Sequence, residues 1–238
     1  MHKKILITGG TRGIGRKIFD EMLSVGEVFV IARNRELLNE LKNLGARDVL
    51  GCNLSSDIKL AESFIFDYQI NILINNAGIY NYSALSDENE ETIDDIIKTN
   101  IKAPILLSKY AVTNMKKNKW GRIINIGSIS GVMGEAYASV YSASKASLIG
   151  FSKALALETA QYNITVNTIN PGWVETELGN NSIDDSEFSK EEILESIPQK
   201  RFVEPIEIAR LIKYLISDDA RGITGQSINI CAGLSVGY

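Results

Sequence analysis

Thr8-Gly9-Gly10-Thr11-Arg12-Gly13-Ile14-Gly15 follows the apolar run Ile5-Leu6-Ile7 and opens onto a helical pattern. Strand, glycine turn and helix in that order suit one purpose. Gly9 permits a tight turn, Gly13 lets backbone approach a pyrophosphate, and Gly15 lets the helix pack close to the strand. The first helical turn then offers unpaired N–H groups and a positive dipole end to phosphate. Gly9, Thr11, Arg12, Gly13, Ile14 and Gly15 are therefore candidate contacts for a phosphate-bearing ligand.

Outward from this turn, short apolar runs alternate with helical stretches. The strand candidates are Lys4–Thr8, Val28–Ala32, Asp48–Cys52, Ile70–Asn75, Arg122–Gly127, Thr165–Asn170 and Ser227–Ile230. The helix candidates are Ile14–Val25, Glu36–Leu44, Ile58–Tyr68, Thr92–Met115, Val140–Tyr162 and Pro205–Ser217. The strands read as continuous apolar runs, as in a parallel sheet covered on both faces. Strand–helix alternation implies repeated right-handed crossovers and a doubly wound sheet. No internal repeat, linker or composition shift interrupts residues 1–238, so one α/β domain is expected. The irregular stretch is Gly172 to Ile197, with eight acidic residues against Lys190. A long polar segment in a compact domain suits a substrate lid over residues 172–197.

The chain has 238 residues, 45% hydrophobic and 23% charged, which suits one globular domain. Its 25 basic and 29 acidic side chains leave a net charge of −4, so nucleic acid is not an expected partner. Cys52 and Cys231 lie far apart in sequence and fit neither a ligand cluster nor a disulfide framework, so a reducing compartment is expected. The only histidine is His2, which excludes a histidine-based triad and most zinc sites. No metal is expected. The first apolar run is too short for a signal peptide, and no stretch approaches the ~18 apolar residues of a membrane span. A cytoplasmic protein without a membrane partner is the expectation.

The spacing Gly-x-x-x-Gly-x-Gly in Gly9–Gly15 resembles that of the short-chain dehydrogenases/reductases. The resemblance covers about residues 4–233. It rests on Thr8–Gly15, Asn75-Asn76-Ala77-Gly78, Asn100, Ser128, Tyr141-x-x-x-Lys145 and Pro171-Gly172 in that order. It implies a single-domain Rossmann fold with a mostly parallel seven-stranded sheet, and hydride transfer between a nicotinamide and a carbonyl or secondary alcohol.

The nicotinamide cofactor expected is NADP(H). NAD sites usually carry an acid after the second strand, whereas NADP sites place arginine there for the 2′-phosphate. Here the strand ends in Arg33-Asn34-Arg35, and Arg12 could reach the same phosphate. The planar guanidinium fork donates two parallel bonds to such a group. Where the family often has Asp to contact adenine, this chain has Asn53 before Leu54, and asparagine keeps hydrogen-bonding capacity. By resemblance, Asn76, Ala77 and Gly78 line the adenosine side. Pro171, Gly172, Val174 and Thr176 contact the carboxamide or a phosphate.

Carbonyl reduction needs a proton donor at the oxygen. Tyr141 and Lys145 lie four apart on a helix and share one face. A nearby ammonium is expected to lower the phenol's pKa, and Lys145 would also reach the nicotinamide ribose. Ser128, after a strand and a glycine, can hold the substrate oxygen for the phenol, with Ser130 as the alternative. The resemblance links Asn100 to Lys145 through water, completing a relay to solvent.

Tyr141-Ser-Ala-Ser-Lys-Ala-Ser-Leu-Ile-Gly-Phe, Ile164-Thr-Val-Asn and Ile223-Thr-Gly-Gln are similar to phrases in 3-oxoacyl-acyl-carrier-protein reductases. The substrate expected is a 3-oxoacyl thioester of fatty-acid type on acyl carrier protein. Lys116, Lys117, Lys119 and Arg122 form a basic cluster that could dock the acidic carrier. Two other readings remain: a reductase or dehydrogenase of a sugar-related or cyclic alcohol, and a non-catalytic cofactor sensor. By resemblance the chain forms a homo-oligomer, a dimer or tetramer, through its two long helices.

Overall fold

Ile5, Leu6 and Ile7 are completely buried, as a strand covered on both faces requires. Neighbouring side chains point to opposite faces, and the two faces feed separate cores. The computed structural model describes residues 2–176, 179, 183 and 189–236. Its strands are β1 (Lys4–Thr8), β2 (Glu27–Ala32), β3 (Asp48–Gly51), β4 (Ile72–Asn75), β5 (Gly121–Ile126), β6 (Ile164–Pro171) and β7 (Ser227–Ile230). They form one sheet in the order β3-β2-β1-β4-β5-β6-β7. Every pairing is parallel, so the sheet is fully rather than mostly parallel.

Ile5, Ile7, Val28, Val30, Ile72, Ile74 and Ile124 pack on one face. There they meet α1 (Gly13–Met22), α2 (Arg35–Asn43) and α9 (Pro205–Leu215) through Ile18, Phe19, Leu38, Leu41, Ile208 and Ile212. Leu6, Phe29, Ile31, Leu73 and Ile123 pack on the other face. Their partners include Phe64 and Ile65 of α3 (Ile58–Tyr68), and Leu107 and Met115 of α5 (Ala103–Asn118). Each fully buried aliphatic side chain contributes about 1.5–3 kcal/mol.

The expected single helix over Thr92–Met115 is three pieces. α4 (Glu90–Ile96) starts at Asn89, whose side chain accepts from Thr92 N at 2.8 Å. A π-helical turn, Ile97–Lys102, then widens the ladder before α5. Such turns are rare and recur at functional sites; this one carries Asn100. After the short α6 (Ser130–Met133), the second long helix is α7 (Ser139–Thr159), with a 3₁₀ turn over Ala160–Tyr162. The fourth strand begins at Ile72 rather than Ile70. Asn71 before it spends its side chain on Lys4 N and His2 O, both at 2.9 Å.

Within the expected lid, Val174 pairs with Val203. The helix α8 (Lys190–Ser196) is capped reciprocally by Ser189 and Glu192. Glu177, Asp184, Asp185 and Glu187 lie outside the described residues, and with them most of the lid.

Candidate active site

The chain runs from β1 outward to β3, then crosses back to β4 on the other side of β1. Such a reversal opens a crevice at the carboxyl ends of the central strands. The glycine turn lies there. Gly9 and Gly13 have φ of +67° and +55°, which favour glycine. A Cβ on Gly15 would stand 2.1 Å from Gly9 O. Gly15 thus lets the helix start rest on the turn itself, closer than the expected helix–strand packing. The Arg12 side chain does not cap α1, and among the described residues no other side chain accepts from its first N–H groups, which a ligand in the crevice could use. Asn76 latches the turn by donating to Thr8 O at 3.0 Å and Gly9 O at 3.1 Å. The Thr8 hydroxyl accepts from Asn76 N and Ala77 N, both at 3.0 Å.

A cavity of about 770 Å³ extends from this turn in both directions. At one end lie Arg33, Asn53 and Leu54, with Arg12 alongside. Arg35 is elsewhere, its side chain lying over Gly51. The Asn53 side chain accepts from Ser55 N and Ser55 Oγ, both at 3.2 Å, so its amide N–H groups remain to donate. Thr11, Ile14, Ala77 and Gly78 line the middle, and Pro171, Gly172, Val174 and Thr176 the far wall. A Cβ on Gly13 would meet Thr176 Cγ2 at 3.4 Å, which sets that wall directly against the turn. Open helix N–H groups, glycines admitting close approach and two arginines in one cavity fit a phosphorylated dinucleotide. Among the described residues no cluster of His, Cys, Asp or Glu could hold a metal.

The cavity's other end holds Ser128 and Tyr141. Ser128 follows β5 through Gly127, where a Cβ would stand 2.2 Å from Asn170 Oδ1. Only glycine lets the strand end pass there. Ser128 Oγ accepts from Ser130 N at 3.1 Å and donates to Ser130 Oγ at 3.0 Å, with Tyr141 beside it on the cavity wall. Lys145, one helical turn beyond Tyr141, is buried and donates to Ile126 O at 2.9 Å. Burial lowers its pKa to about 8.

The expected lowering of Tyr141 is corrected here. Burial pushes its pKa up to about 12, against the opposing bond from Ser128, and the Glu135 charge adds to the rise. Lys145 Nζ stands 5.6 Å from the ring centroid, and one of its protons goes to a backbone carbonyl. Desolvation of the phenolate therefore outweighs the ammonium.

Asn100 is buried in the π turn. It donates to Ile79 O at 2.9 Å and Ser144 Oγ at 3.1 Å, and accepts from Ile79 N at 2.9 Å. A Cβ on Gly78 would meet Lys145 Nζ at 3.2 Å and Asn100 Oδ1 at 3.3 Å, so both atoms flank that glycine. The structure thus brings Asn100, Ser128, Tyr141 and Lys145 together. Sequence reasoning missed Thr8, Ser144, Asn170, Tyr80 and Glu135. Their roles come from contacts across the fold, and only the position of Tyr80 just after Asn75–Gly78 hinted at the site.

The basic cluster does not survive as drawn. Arg122 is fully buried, donating to Gly121 O, Asn163 O and Asp218 Oδ1 at 2.8–3.1 Å. Lys116, Lys117 and Lys119 sit where β5 begins, at the opposite end of that strand from Ser128.

Residues 3–187 match the family described as short chain dehydrogenase. The chain belongs to that family. This short-chain dehydrogenase is 37% identical to the 3-oxoacyl-[acyl-carrier-protein] reductase FabG of Salmonella typhimurium, over 98% of the chain and 97% of the relative. It is 39% identical to FabG of Haemophilus influenzae, over 98% of each. Among solved structures it resembles a variant actinorhodin polyketide ketoreductase with NADPH, with a TM-score of 0.91 and 34% identity. That alignment covers 100% of this chain and 98% of the other. The family resemblance and the Rossmann-type sheet read from the sequence both hold.

Proposed function

We propose that this short-chain dehydrogenase reduces a 3-oxoacyl thioester carried on acyl carrier protein, using NADPH. The observation that carries the reading is one continuous cavity, with Arg12 and Arg33 toward one end, the glycine turn between, and Ser128 and Tyr141 at the other end. Full-length relatives named for that reaction support the substrate, and the NADPH-bound neighbour supports the cofactor. Arg12 and Arg33 would take the 2′-phosphate, the open N–H groups of α1 the pyrophosphate, and Lys145 the nicotinamide ribose. When bound, the cofactor supplies the hydride.

The chain's own residues handle the oxygen. Ser128 and Tyr141 converge on one point of the cavity wall, where a carbonyl oxygen would accept from both. Tyr141 releases its proton to that oxygen as negative charge develops there. A phenol held protonated is suited to donating. Lys145, charged at pH 7 but brought nearer to losing its proton by burial, can carry a proton inward along the Asn100 side.

The site's polar wall favours a second reading, a polar or cyclic ketone, because Tyr80, Glu135 and Asp95 also line the cavity. Exposed Ile97 and Ile105 on the interrupted helix, and Leu157 on α7, support a homodimer or tetramer through those helices. No helix among the described residues is long and apolar enough to cross a membrane, and a cytoplasmic location fits this reading. The deciding experiment measures NADPH and NADH consumption with a short 3-oxoacyl thioester beside a panel of cyclic and sugar-like ketones. Fast NADPH-dependent turnover of the thioester supports the first reading. An inert thioester with an active ketone moves the protein to the second.

A further inference from the structure

Glu135 lies in the loop between α6 and α7 and lines the substrate end of the cavity. Its carboxylate accepts from Ser130 Oγ at 2.5 Å and from Tyr80 OH at 2.8 Å. The Tyr80 ring meets the Tyr141 ring edge-on, with centroids 4.9 Å apart. Among the described residues the hydrogen bonds to Glu135 come from hydroxyls, and no lysine or arginine forms an ion pair with it.

A carboxylate only accepts hydrogen bonds, and each hydroxyl has one proton to give. The Ser130 proton is therefore committed to Glu135. Ser130 Oγ must then accept across its 3.0 Å contact with Ser128. While no substrate is bound the Ser128 proton is committed in turn, so Ser128 has only lone pairs to offer the Tyr141 phenol beside it. One charge at the end of the chain thus fixes the direction of every hydroxyl back to the reacting phenol.

We propose that Glu135 is a positioning residue for Tyr141: it polarises the Ser130–Ser128 hydroxyl chain toward itself, keeps the phenol protonated, and so sets the pH range in which the site reduces carbonyls. This rests on Tyr141 being the proton donor. A phenolate would need Ser128 to turn its proton around, breaking the bond to Ser130 beside a negative charge. The overall equilibrium of the reaction is unchanged, and only its pH limbs move. Among the described residues, the other ionisable groups facing this region are Lys145 from α7, Asp95 from α4, Tyr80 and Tyr82 from the loop after β4, and Tyr137 beside Glu135. All are common to the proteins compared below.

The test compares pH profiles of kcat/KM in both directions for wild type, Glu135→Gln, Glu135→Asp and Ser130→Ala. In Glu135→Gln the alkaline limb of reduction and the rising limb of oxidation should move down together by about half to one pH unit. Oxidation at a fixed pH below the limb then gains roughly threefold to tenfold. Glu135→Asp should restore part of the shift, and Ser130→Ala should reproduce it with the charge still present. Unmoved limbs in Glu135→Gln would overturn the proposal, and a shift there with none in Ser130→Ala would overturn the hydroxyl route. Should wild type turn over none of the substrates, the functional reading fails. The inference is then decided by NMR titration of carbon-13-labelled tyrosine in the free protein, with Tyr141 assigned through Tyr141→Phe. A lower Tyr141 midpoint in Glu135→Gln supports it, and an identical midpoint overturns it.

Discussion

Lys145→Met should flatten the dependence of stability on pH. Lys145 is 5% exposed, and burial lowers its pKa from 10.5 to about 8. The unfolded chain therefore binds the extra proton between pH 8 and 10.5, so stability rises as pH climbs through that window. Below pH 8 the folded protein carries the whole penalty, about 3 kcal/mol at pH 7. At pH 9.5 roughly 2 kcal/mol of that has been relieved. Methionine has similar length and no charge, so the variant lacks this gain. Urea unfolding of the ligand-free proteins at pH 7 and pH 9.5 gives the comparison. The bond to Ile126 O is lost at both pH values, and its worth cancels between them to first order. Cys52 and Tyr141, raised to about 11 and about 12, titrate in both proteins and also drop out. Wild type should gain about 2 kcal/mol relative to the variant over this interval. Parallel curves, within about 0.5 kcal/mol, would show that Lys145 is not held against its charge, and the reasoning from burial would fail. The variant should be catalytically dead, so this penalty is one the fold tolerates for its chemistry.

Tyr141→Phe should lower turnover by about 10²- to 10⁴-fold, the usual worth of a positioned acid, and leave NADPH binding by fluorescence titration nearly unchanged; undiminished turnover would remove Tyr141 from the proton step. Arg33→Asp should cut kcat/KM for NADPH by roughly tenfold to a hundredfold, the equivalent of one lost charge-assisted bond, and swing preference toward NADH. An unaltered cofactor ratio would make Arg33 only a surface charge. Gly127→Ala puts a Cβ 2.2 Å from Asn170 Oδ1. It should cost about 1–3 kcal/mol in thermal or urea unfolding and displace Ser128; wild-type stability with wild-type activity would refute the packing argument.

The parts of the site legible in the sequence are those set by local spacing. The glycine turn and the Tyr141–Lys145 pair are each fixed within one strand, turn or helix, where period and backbone sterics decide geometry. What was illegible depends on distant segments. The split of the expected helix at Ile97–Lys102 is hinted at only by Pro104 just past it, which has no N–H for the helical ladder. What holds the turn, the bonds of Asn100 to Ile79 and Ser144, exists only once the loop after β4 and α7 are in place. Arg122 looked like a surface cation because lysines precede it, yet its strand position turns it inward to Asp218. The Tyr141 error has the same origin. Spacing says that a lysine is near the phenol, but not how much water the fold removes, and desolvation is the larger effect.

The sheet itself bears on the chemistry. Asn75 on β4 donates to Asn125 on β5 at 2.8 Å, and Asn125 donates to Ser152 on α7 at 2.8 Å. Thr168 on β6 bonds the same Ser152 at 2.7 Å and Leu148 O at 3.2 Å. Apolar contacts alone would let α7 slide or turn slightly over the sheet at little penalty, because hydrophobic packing is non-directional. Directional bonds inside a buried layer do not permit that, since each shift strands a desolvated polar group. Ser152 lies on the same face of α7 as Lys145 and Leu148, three residues whose side chains are all buried. Fixing Ser152 against β5 and β6 therefore fixes where Lys145 meets Ile126 O at the end of β5, and where Tyr141 meets Ser128 just beyond it. The polar side chains in the middle of the sheet are thus what hold a helix-borne phenol beside the serine that follows β5.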